Sequence, residues 1–253
     1  MTGISLGILG LLLGSFLSVL LARWPHWRGV ATGRSACPVC HHELAWYDLI
    51  PLASWLSTRG ACRYCFTPIS RWYPALELTM AVVLASYGWL FGVATWWGAI
   101  DVAILFLLVS LFFFDVRYHM LPDALTLPLV VIAIGRIALF RSDLLINALA
   151  MGVCLTAFFG LLYLLTRGRS LGFGDVKLAC AMGVLFGFPM AIGVTLIAIW
   201  SGAAIGVGMM MRKSATMKTA LPFGAFWVVA ALVTLFMPGP VAFLSGLLIP
   251  VLP

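Results

Sequence analysis

The sequence predicts an all-α polytopic membrane protein with about eight transmembrane helices and a cytoplasmic four-cysteine, zinc-ribbon-like loop domain after the first helix. Of its 253 residues, 63% are hydrophobic and only 9% are charged, whereas soluble domains are about half apolar and about a quarter charged. The apolar runs are long and continuous, which favours spanning helices over the alternating strands of a barrel. This composition excludes a soluble globular enzyme, a disordered chain and a secreted disulfide-rich domain.

Eight segments are long and apolar enough to be candidate spans, since a spanning helix needs about 20 mostly apolar residues. The first has no basic residue before it, so we expect a retained membrane anchor and not a cleaved signal peptide. The candidate spans cover residues 4–22, 75–93, 96–114, 123–140, 144–165, 175–188, 190–211 and 223–237. The apolar tail at 240–252 forms either a partial ninth span or a segment at the membrane interface.

Positive charge is distributed unevenly among the segments that join these spans. With residues 23–74 placed inside, all but two of the 15 Lys and Arg residues fall on the inner side. Because Lys and Arg gather on the cytoplasmic face, the N-terminus is predicted to be periplasmic. The formal charge of +7 therefore reflects orientation in a lipid bilayer, and we expect no nucleic acid as a partner. The chain divides into a first transmembrane helix (1–22), a cytoplasmic cysteine-rich domain (23–74) and a membrane-embedded domain (75–253).

The cysteine-rich domain contains two cysteine pairs, Cys37-Pro-Val-Cys40 and Cys62-Arg-Tyr-Cys65, with 21 residues between them. Two such pairs supply four thiolates for a tetrahedral zinc site, and cytoplasmic thiols stay reduced. A domain of about 50 residues has little core of its own, so a structural metal would supply folding energy. The alternative is a membrane thiol oxidoreductase, whose reactive cysteines would be expected on the outer face.

Two acidic residues are expected at the cytoplasmic edge of the membrane, where an ionisable side chain is costly and usually functional. Asp115 ends the third span and Asp175 opens the sixth, so both are predicted to lie at the same depth. Two carboxylates in a partly dry site cannot both ionise easily, so one keeps its proton while the other stays charged. Such a pair can hydrolyse a peptide bond by general acid–base catalysis. A proton-coupled transporter, with both acids as relay groups, is the alternative.

The residues around Asp175 allow two interpretations. Gly172 and Gly174 lack a Cβ, which loosens the helix start and lets a substrate backbone approach, so we expect them, with Lys177, to bind substrate or shape the site. Alternatively, Asp175 is simply the N-cap of a helix, and Lys177 extends towards the lipid headgroups.

Two further acids are expected to have structural roles. Asp123 follows Pro122 and opens the fourth span, as a helix N-cap would. Glu77 lies in the first turn of the second span, where we expect it to pair with Arg71 or to complement the helix dipole. Neither acid is counted among the catalytic candidates.

Short motifs follow one another in a defined order along nearly the whole chain. They are Gly14–Val19 with Arg23-Trp24-Pro25, the two cysteine pairs, Ile50-Pro51-Leu52 with Ser54, Arg71–Glu77, Asp115–Pro128, Gly172–Leu178 and Leu221–Gly224. In this order they resemble the motifs of the bacterial type IV prepilin peptidases, which are bifunctional leader peptidase/N-methyltransferases. The sequence departs from the usual motifs at Ser18, Trp24, Trp72 and Ala225. None of these positions is one of the two acids or the four cysteines.

The resemblance implies a GxGD aspartyl protease whose catalytic acids are Asp115 and Asp175. It implies prepilin or pseudopilin substrates that lose a short basic leader after a glycine, on the cytoplasmic side of the bacterial inner membrane. The new N-terminal residue, usually Phe, would then be methylated from S-adenosylmethionine, and the zinc would be structural. The sequence does not locate the S-adenosylmethionine site, name the prepilin, separate pilus assembly from secretion or set the oligomeric state.

Overall fold

The computed structural model of the chain describes residues 3–27, 33–92, 97–169, 171–212, 221–239 and 241. Regular secondary structure within these ranges is helical, with two isolated β-bridges in the cysteine-rich loop. The α-helices are α1 (Gly3–Ala22), α2 (Ala53–Ser57), α3 (Trp72–Phe91), α4 (Trp97–Tyr118), α5 (Asp123–Phe140), α6 (Leu145–Thr166), α7 (Phe173–Phe186), α8 (Met190–Met211) and α9 (Phe223–Phe236). Short 3-10 helices cover Trp46–Leu49 and Ser142–Leu144.

Six of the helices in the described ranges, α1, α3, α4, α5, α6 and α8, are long and apolar enough to cross a membrane. The prediction of an all-helical membrane protein with a four-cysteine insert after the first helix is confirmed. Helices α7 and α9 occupy the sixth and eighth predicted spans but have 14 residues each. Such a helix is about 21 Å long, shorter than a hydrocarbon core of about 30 Å, so helix length does not establish eight full spans. Apart from Val241, the tail at 240–252 lies outside the described residues.

The chain forms two compact units, Met1–Val102 and Ala103–Pro253. In the first unit α1 packs along α3, and glycines on one face of α1 permit the close approach. A Cβ on Gly10 would lie 2.6 Å from the Ala81 Cα, and a Cβ on Gly14 would lie 2.5 Å from the Glu77 Cα. Larger side chains at these positions would force the two backbones apart, so small residues define this helix pair.

In the second unit α7 is the central helix, and α5, α6, α8 and α9 pack against it. Half of its 14 residues are buried, so this short helix is covered largely by protein. Gly183 of α7 meets Gly152 of α6, where a Cβ on Gly183 would lie 2.6 Å from the Gly152 Cα. This contact sets the height and rotation of α7, and with them the position of Asp175 near its start.

Candidate active site

Asp115 lies in the last turn of α4 and is only 5% exposed. The prediction that this span ends at residue 114 is wrong, because the helix continues to Tyr118. The His119 N–H donates to the Asp115 carbonyl at 2.8 Å and continues the helical hydrogen bonding past the acid. The Asp115 carboxylate therefore lies in the protein interior and not at the exposed end of a helix.

The first turn of α9 contacts the Asp115 carboxylate. The Ala225 N–H donates to Asp115 Oδ2 at 2.8 Å, and a Cβ on Gly224 would lie 3.0 Å from the same oxygen. The N-terminus of a helix has unpaired N–H groups and the positive end of the dipole, so it stabilises a carboxylate placed there. No pattern in the sequence predicts this contact, although the Leu221–Gly224 motif marks the segment.

Asp175 is the third residue of α7, whose N-cap is Gly172. Its Oδ2 accepts a hydrogen bond from the Gly172 N–H at 3.2 Å, as the acid of a capping box does. The interpretation of Asp175 as the N-cap itself is therefore wrong, although the acid does help to start the helix.

Asp115 and Asp175 line one cavity of about 230 Å³, and they lie close enough for their charges to interact. The end of α4, the segment after it and the start of α7 form the walls. The other residues that line the cavity are His119, Met120, Leu121, Gly172, Phe173, Gly174 and Lys177. Two carboxyl groups that share a cavity can divide the roles of acid and base between them, and they titrate as a pair.

Both glycines before Asp175 line this cavity. A Cβ on Gly174 would lie 3.1 Å from the Leu121 Cβ, so a small residue lets the segment after α4 pack against α7. Gly172 is exposed and has an extended backbone. Of the two, Gly172 is therefore the one whose backbone a peptide could approach.

Lys177 lines the cavity from the second turn of α7 and forms an ion pair with Asp123, the first residue of α5. The N-cap of α5 is Pro122, so the prediction that Asp123 is the N-cap is wrong. The Lys177 ammonium also lies 5.5 Å from the centre of the Phe173 ring, within range of a cation–π interaction. These contacts turn Lys177 towards the protein instead of the headgroups. Lys177 and Asp123 are 54 residues apart in the sequence, so no local pattern predicts this ion pair.

The four predicted ligand cysteines come together in the structure. Their Sγ atoms all lie within 4.8 Å of one another, and they belong to Cys37, Cys40, Cys62 and Cys65. Both pairs form the same turn, in which the N–H after the second cysteine donates to the carbonyl of the first at 2.9 Å. Tetrahedral Zn–S bonds of about 2.3 Å place sulfurs about 3.8 Å apart, and the Sγ atoms of Cys37 and Cys65 are 3.7 Å apart. The donor set therefore fits a zinc ion.

A polar network braces this cluster. The Asp48 carboxylate accepts hydrogen bonds from Arg63 Nε at 2.9 Å and from the Tyr64 hydroxyl at 3.0 Å. Partial burial opposes ionisation of Asp48, yet these bonds and one from the Ala45 N–H hold the pKa of its carboxyl below the usual range. The network ties the 3-10 helix Trp46–Leu49 to the turn that carries the second cysteine pair.

Comparisons with known proteins give matches along most of the chain. Residues 8–91 match the family model described as Bacterial Peptidase A24 N-terminal domain, and residues 102–207 match the model described as Type IV leader peptidase family. A prepilin leader peptidase/N-methyltransferase from Burkholderia pseudomallei (strain 1026b) is 34% identical, over 94% of this chain and 86% of the relative. Proteins of the same name from Stutzerimonas stutzeri and Pseudomonas aeruginosa are each 31% identical, over 90% of this chain and 88% of the relative. No solved structure shows a significant match.

Proposed function

Because the chain belongs to the type IV leader peptidase family, we propose that it removes the leader peptide from prepilins and then N-methylates the new N-terminus. It is an inner membrane protein, and its substrates are prepilins or pseudopilins with a basic leader ahead of an apolar helix. Such a helix can enter sideways between the spans while the bond after the leader glycine stays at the membrane edge. A peptidase built from membrane helices suits this substrate.

The single observation that carries the peptidase mechanism is the pair of carboxyl groups in one cavity, on Asp115 and Asp175. One carboxylate accepts a proton from a water molecule as the water oxygen attacks the scissile carbonyl carbon. The other, protonated, carboxyl group donates its proton to the leaving nitrogen as the carbon–nitrogen bond breaks. The leader gains a new carboxyl group, the mature protein gains a new amine, and proton exchange with water restores the pair.

Backbone contacts support this role for the two acids. Asp115 is held by the Ala225 N–H and Asp175 by the Gly172 N–H, each at the start of a helix. In each acid, the Oδ2 atom accepts the hydrogen bond. Groups fixed in this way need little rearrangement when the reaction begins, which lowers the barrier.

We place the cavity and the cysteine-rich domain, residues 23–74, at the cytoplasmic face, with a periplasmic N-terminus. Asp115 lies near the end of α4 and Asp175 near the start of α7, so both mark the same side of the membrane. With the eight spans predicted from the sequence, that side carries all but two of the 15 basic residues of the chain, as a cytoplasmic face does. Cleavage of a leader on this side of the membrane is consistent with that orientation.

Methyl transfer from S-adenosylmethionine needs the new N-terminal amine in its neutral form and in line with the donor methyl group. The nitrogen forms a bond to the methyl carbon, the sulfur–carbon bond breaks, and the amine then loses a proton. Neither acid of the cavity lies in the cysteine-rich domain, residues 23–74, so this domain has no part in the proposed hydrolysis. We therefore place methyl transfer at this domain. Its four cysteines would hold a structural zinc ion, which supplies folding energy and takes no part in hydrolysis.

A cleavage assay in lipid nanodiscs tests the proposal. The substrate is a peptide with a basic leader, a Gly-Phe junction and an apolar helix, analysed by mass spectrometry with and without S-adenosylmethionine. Asp115→Asn and Asp175→Asn should each slow cleavage by at least about a hundredfold. With the methyl donor, the wild-type product should gain the mass of one CH₂ group.

The control variant is Asp143→Asn, because Asp143 is an exposed acid that pairs with Arg141 and does not line the cavity. It should cleave like the wild type. Cleavage that persists in either cavity variant would exclude that acid as catalytic. A folded wild-type protein that cleaves no such peptide would overturn the proposal. That result would favour the proton-coupled transporter, in which both acids are relay groups.

A further inference from the structure

Glu77 is a buried carboxylate that the proposed hydrolysis does not use. It lies in the second turn of the spanning helix α3 and is 8% exposed, so it cannot complement the first turn of that helix as predicted. The contact found is a hydrogen bond from the Leu52 N–H to Glu77 Oε2 at 2.8 Å, not the predicted pairing with Arg71. A buried carboxylate in a spanning helix is costly unless its oxygens are hydrogen-bonded. Its presence in α3 therefore points to a role for Glu77.

Three segments of the first unit meet at this carboxylate. Glu77 belongs to α3, Gly14 of α1 lies directly against the Glu77 backbone, and the Leu52 N–H approaches from the cysteine-rich loop. Leu52 has a φ of 59°, a left-handed conformation that leucine seldom adopts, and it forms the N-cap of α2. A residue in such a conformation needs surrounding contacts to hold it there, and the Glu77 carboxylate supplies one of them.

Short contacts connect Leu52 to the second cysteine pair. Helix α2 begins directly after Leu52, and its Trp55 ring packs against Gly60, where a Cβ would lie 2.8 Å from the ring. The Trp55 Nε1–H donates to the Ile69 carbonyl at 3.4 Å, and the Ile69 N–H donates to the Gly60 carbonyl at 2.7 Å. Gly60 and Ile69 flank the turn that carries the second cysteine pair. A shift of Leu52 would therefore move α2 and this turn together.

We propose that Glu77 is a positioning residue for methyl transfer, because it fastens the cysteine-rich domain to the α1–α3 helix pair at Leu52. The inference rests on the proposed function, and in particular on methyl transfer at residues 23–74. The two acids of the cleavage cavity belong to the other compact unit. Loss of the Glu77–Leu52 hydrogen bond therefore lowers methylation and spares cleavage.

Two substitutions separate the hydrogen bond from the charge. Glu77→Leu removes the acceptor at similar volume, whereas Glu77→Gln keeps a carbonyl oxygen for the Leu52 N–H. Methylation is measured as kcat and KM on a peptide that already starts with Phe, and cleavage is measured separately on the full peptide. For Glu77→Leu we expect methylation kcat to fall about tenfold or more, with cleavage retained. Glu77→Gln should recover most of the methylation.

Limited proteolysis reports the docking itself. The chain around Leu52 should be cut faster in Glu77→Leu than in the wild type, and not in Glu77→Gln. Tyr87→Phe is the matched control, because it removes a hydrogen bond from Tyr87 to Asp101 farther along α3. It should leave methylation, cleavage and the proteolysis pattern unchanged.

Three results would overturn the inference. Methylation by Glu77→Leu at the wild-type rate would show that docking is irrelevant. Equal loss in Glu77→Leu and Glu77→Gln with a protected loop would show that the charge acts, not the hydrogen bond. Joint loss of methylation and cleavage would make Glu77 a requirement of the whole fold. A wild-type protein without either activity is a different result, which contradicts the proposed function itself.

Discussion

The Ala225 N–H donates a hydrogen bond to Asp115 Oδ2 at 2.8 Å, although 110 positions separate the two residues in the sequence. The start of α9 thereby closes over a carboxylate that belongs to α4. Gly224 precedes the donor and lies against both Asp115 and Leu121, so the closest approach occurs where a side chain is absent. The backbone of α9 is thus part of the wall around one of the two proposed catalytic acids.

Replacement of Gly224 by alanine should slow cleavage by about tenfold or more, because the acid would be displaced from its position. The added Cβ would lie 3.0 Å from Asp115 Oδ2 and 3.1 Å from the Leu121 Cδ1. Alanine favours helix more than glycine does, so the helix itself is not weakened. The measurement is kcat for the prepilin-like peptide. Gly135→Ala is the control, since a Cβ there meets nothing within 4 Å, and equal rates for both variants would contradict the prediction.

The Lys177–Asp123 ion pair should contribute modestly to cleavage. Its side chains are 27% and 63% exposed, so solvent screens the attraction, and Lys177→Met should lower kcat by about three- to fivefold. The exchanged double variant Lys177→Asp with Asp123→Lys should recover part of that loss in a double-mutant cycle. Arg141→Met breaks an exposed pair away from the cavity and serves as the control. If the effects of Lys177→Asp and Asp123→Lys on kcat are strictly additive in the double variant, the pair is not coupled.

Gly183→Ala should destabilise the second unit by about 1–3 kcal/mol, because a methyl group would be forced into a tight contact. The added Cβ would lie 2.6 Å from the Gly152 Cα of α6, and backbone atoms cannot rotate away as a side chain can. The thermal midpoint in one detergent measures the effect. Gly135→Ala is again the matched change, and it should be neutral or stabilise by up to about 1 kcal/mol. A Gly183→Ala protein as stable as the wild type would show that the two helices can separate without cost.

The purified protein should contain about one zinc ion per chain, held by the four cysteines. Cys62→Ser should lose most of this metal and expose residues 33–71 to protease, because the domain has little other core. Metal content is measured by mass spectrometry of the digested protein. Cys154→Ser is the control, since Cys154 is an exposed cysteine of α6 outside the cluster. Equal metal content in the two variants would exclude the four-cysteine site.

Much of the architecture could be predicted from the residues because it depends on local pattern. Helices α5 and α8 have the bounds predicted for them, residues 123–140 and 190–211, since long apolar runs between turn residues define both. The two cysteine pairs meet as expected, because each CxxC turn is short and four thiols suit one ion. Helix ends were less predictable, and the one-turn extension of α4 placed Asp115 inside the protein.

Which distant residues meet depends on the packing of the helices and not on local sequence pattern. The bonds from Leu52 to Glu77, from Lys177 to Asp123 and from Ala225 to Asp115 each join separate segments. Their existence depends on how closely helices approach, which glycines control through contacts that no single segment reveals. Local sequence pattern was therefore enough to predict the membrane character, the helices, the four-cysteine cluster and the two candidate acids. The packed structure determined what surrounds those acids, because hydrogen bonds across the chain form only after the helices have been brought together.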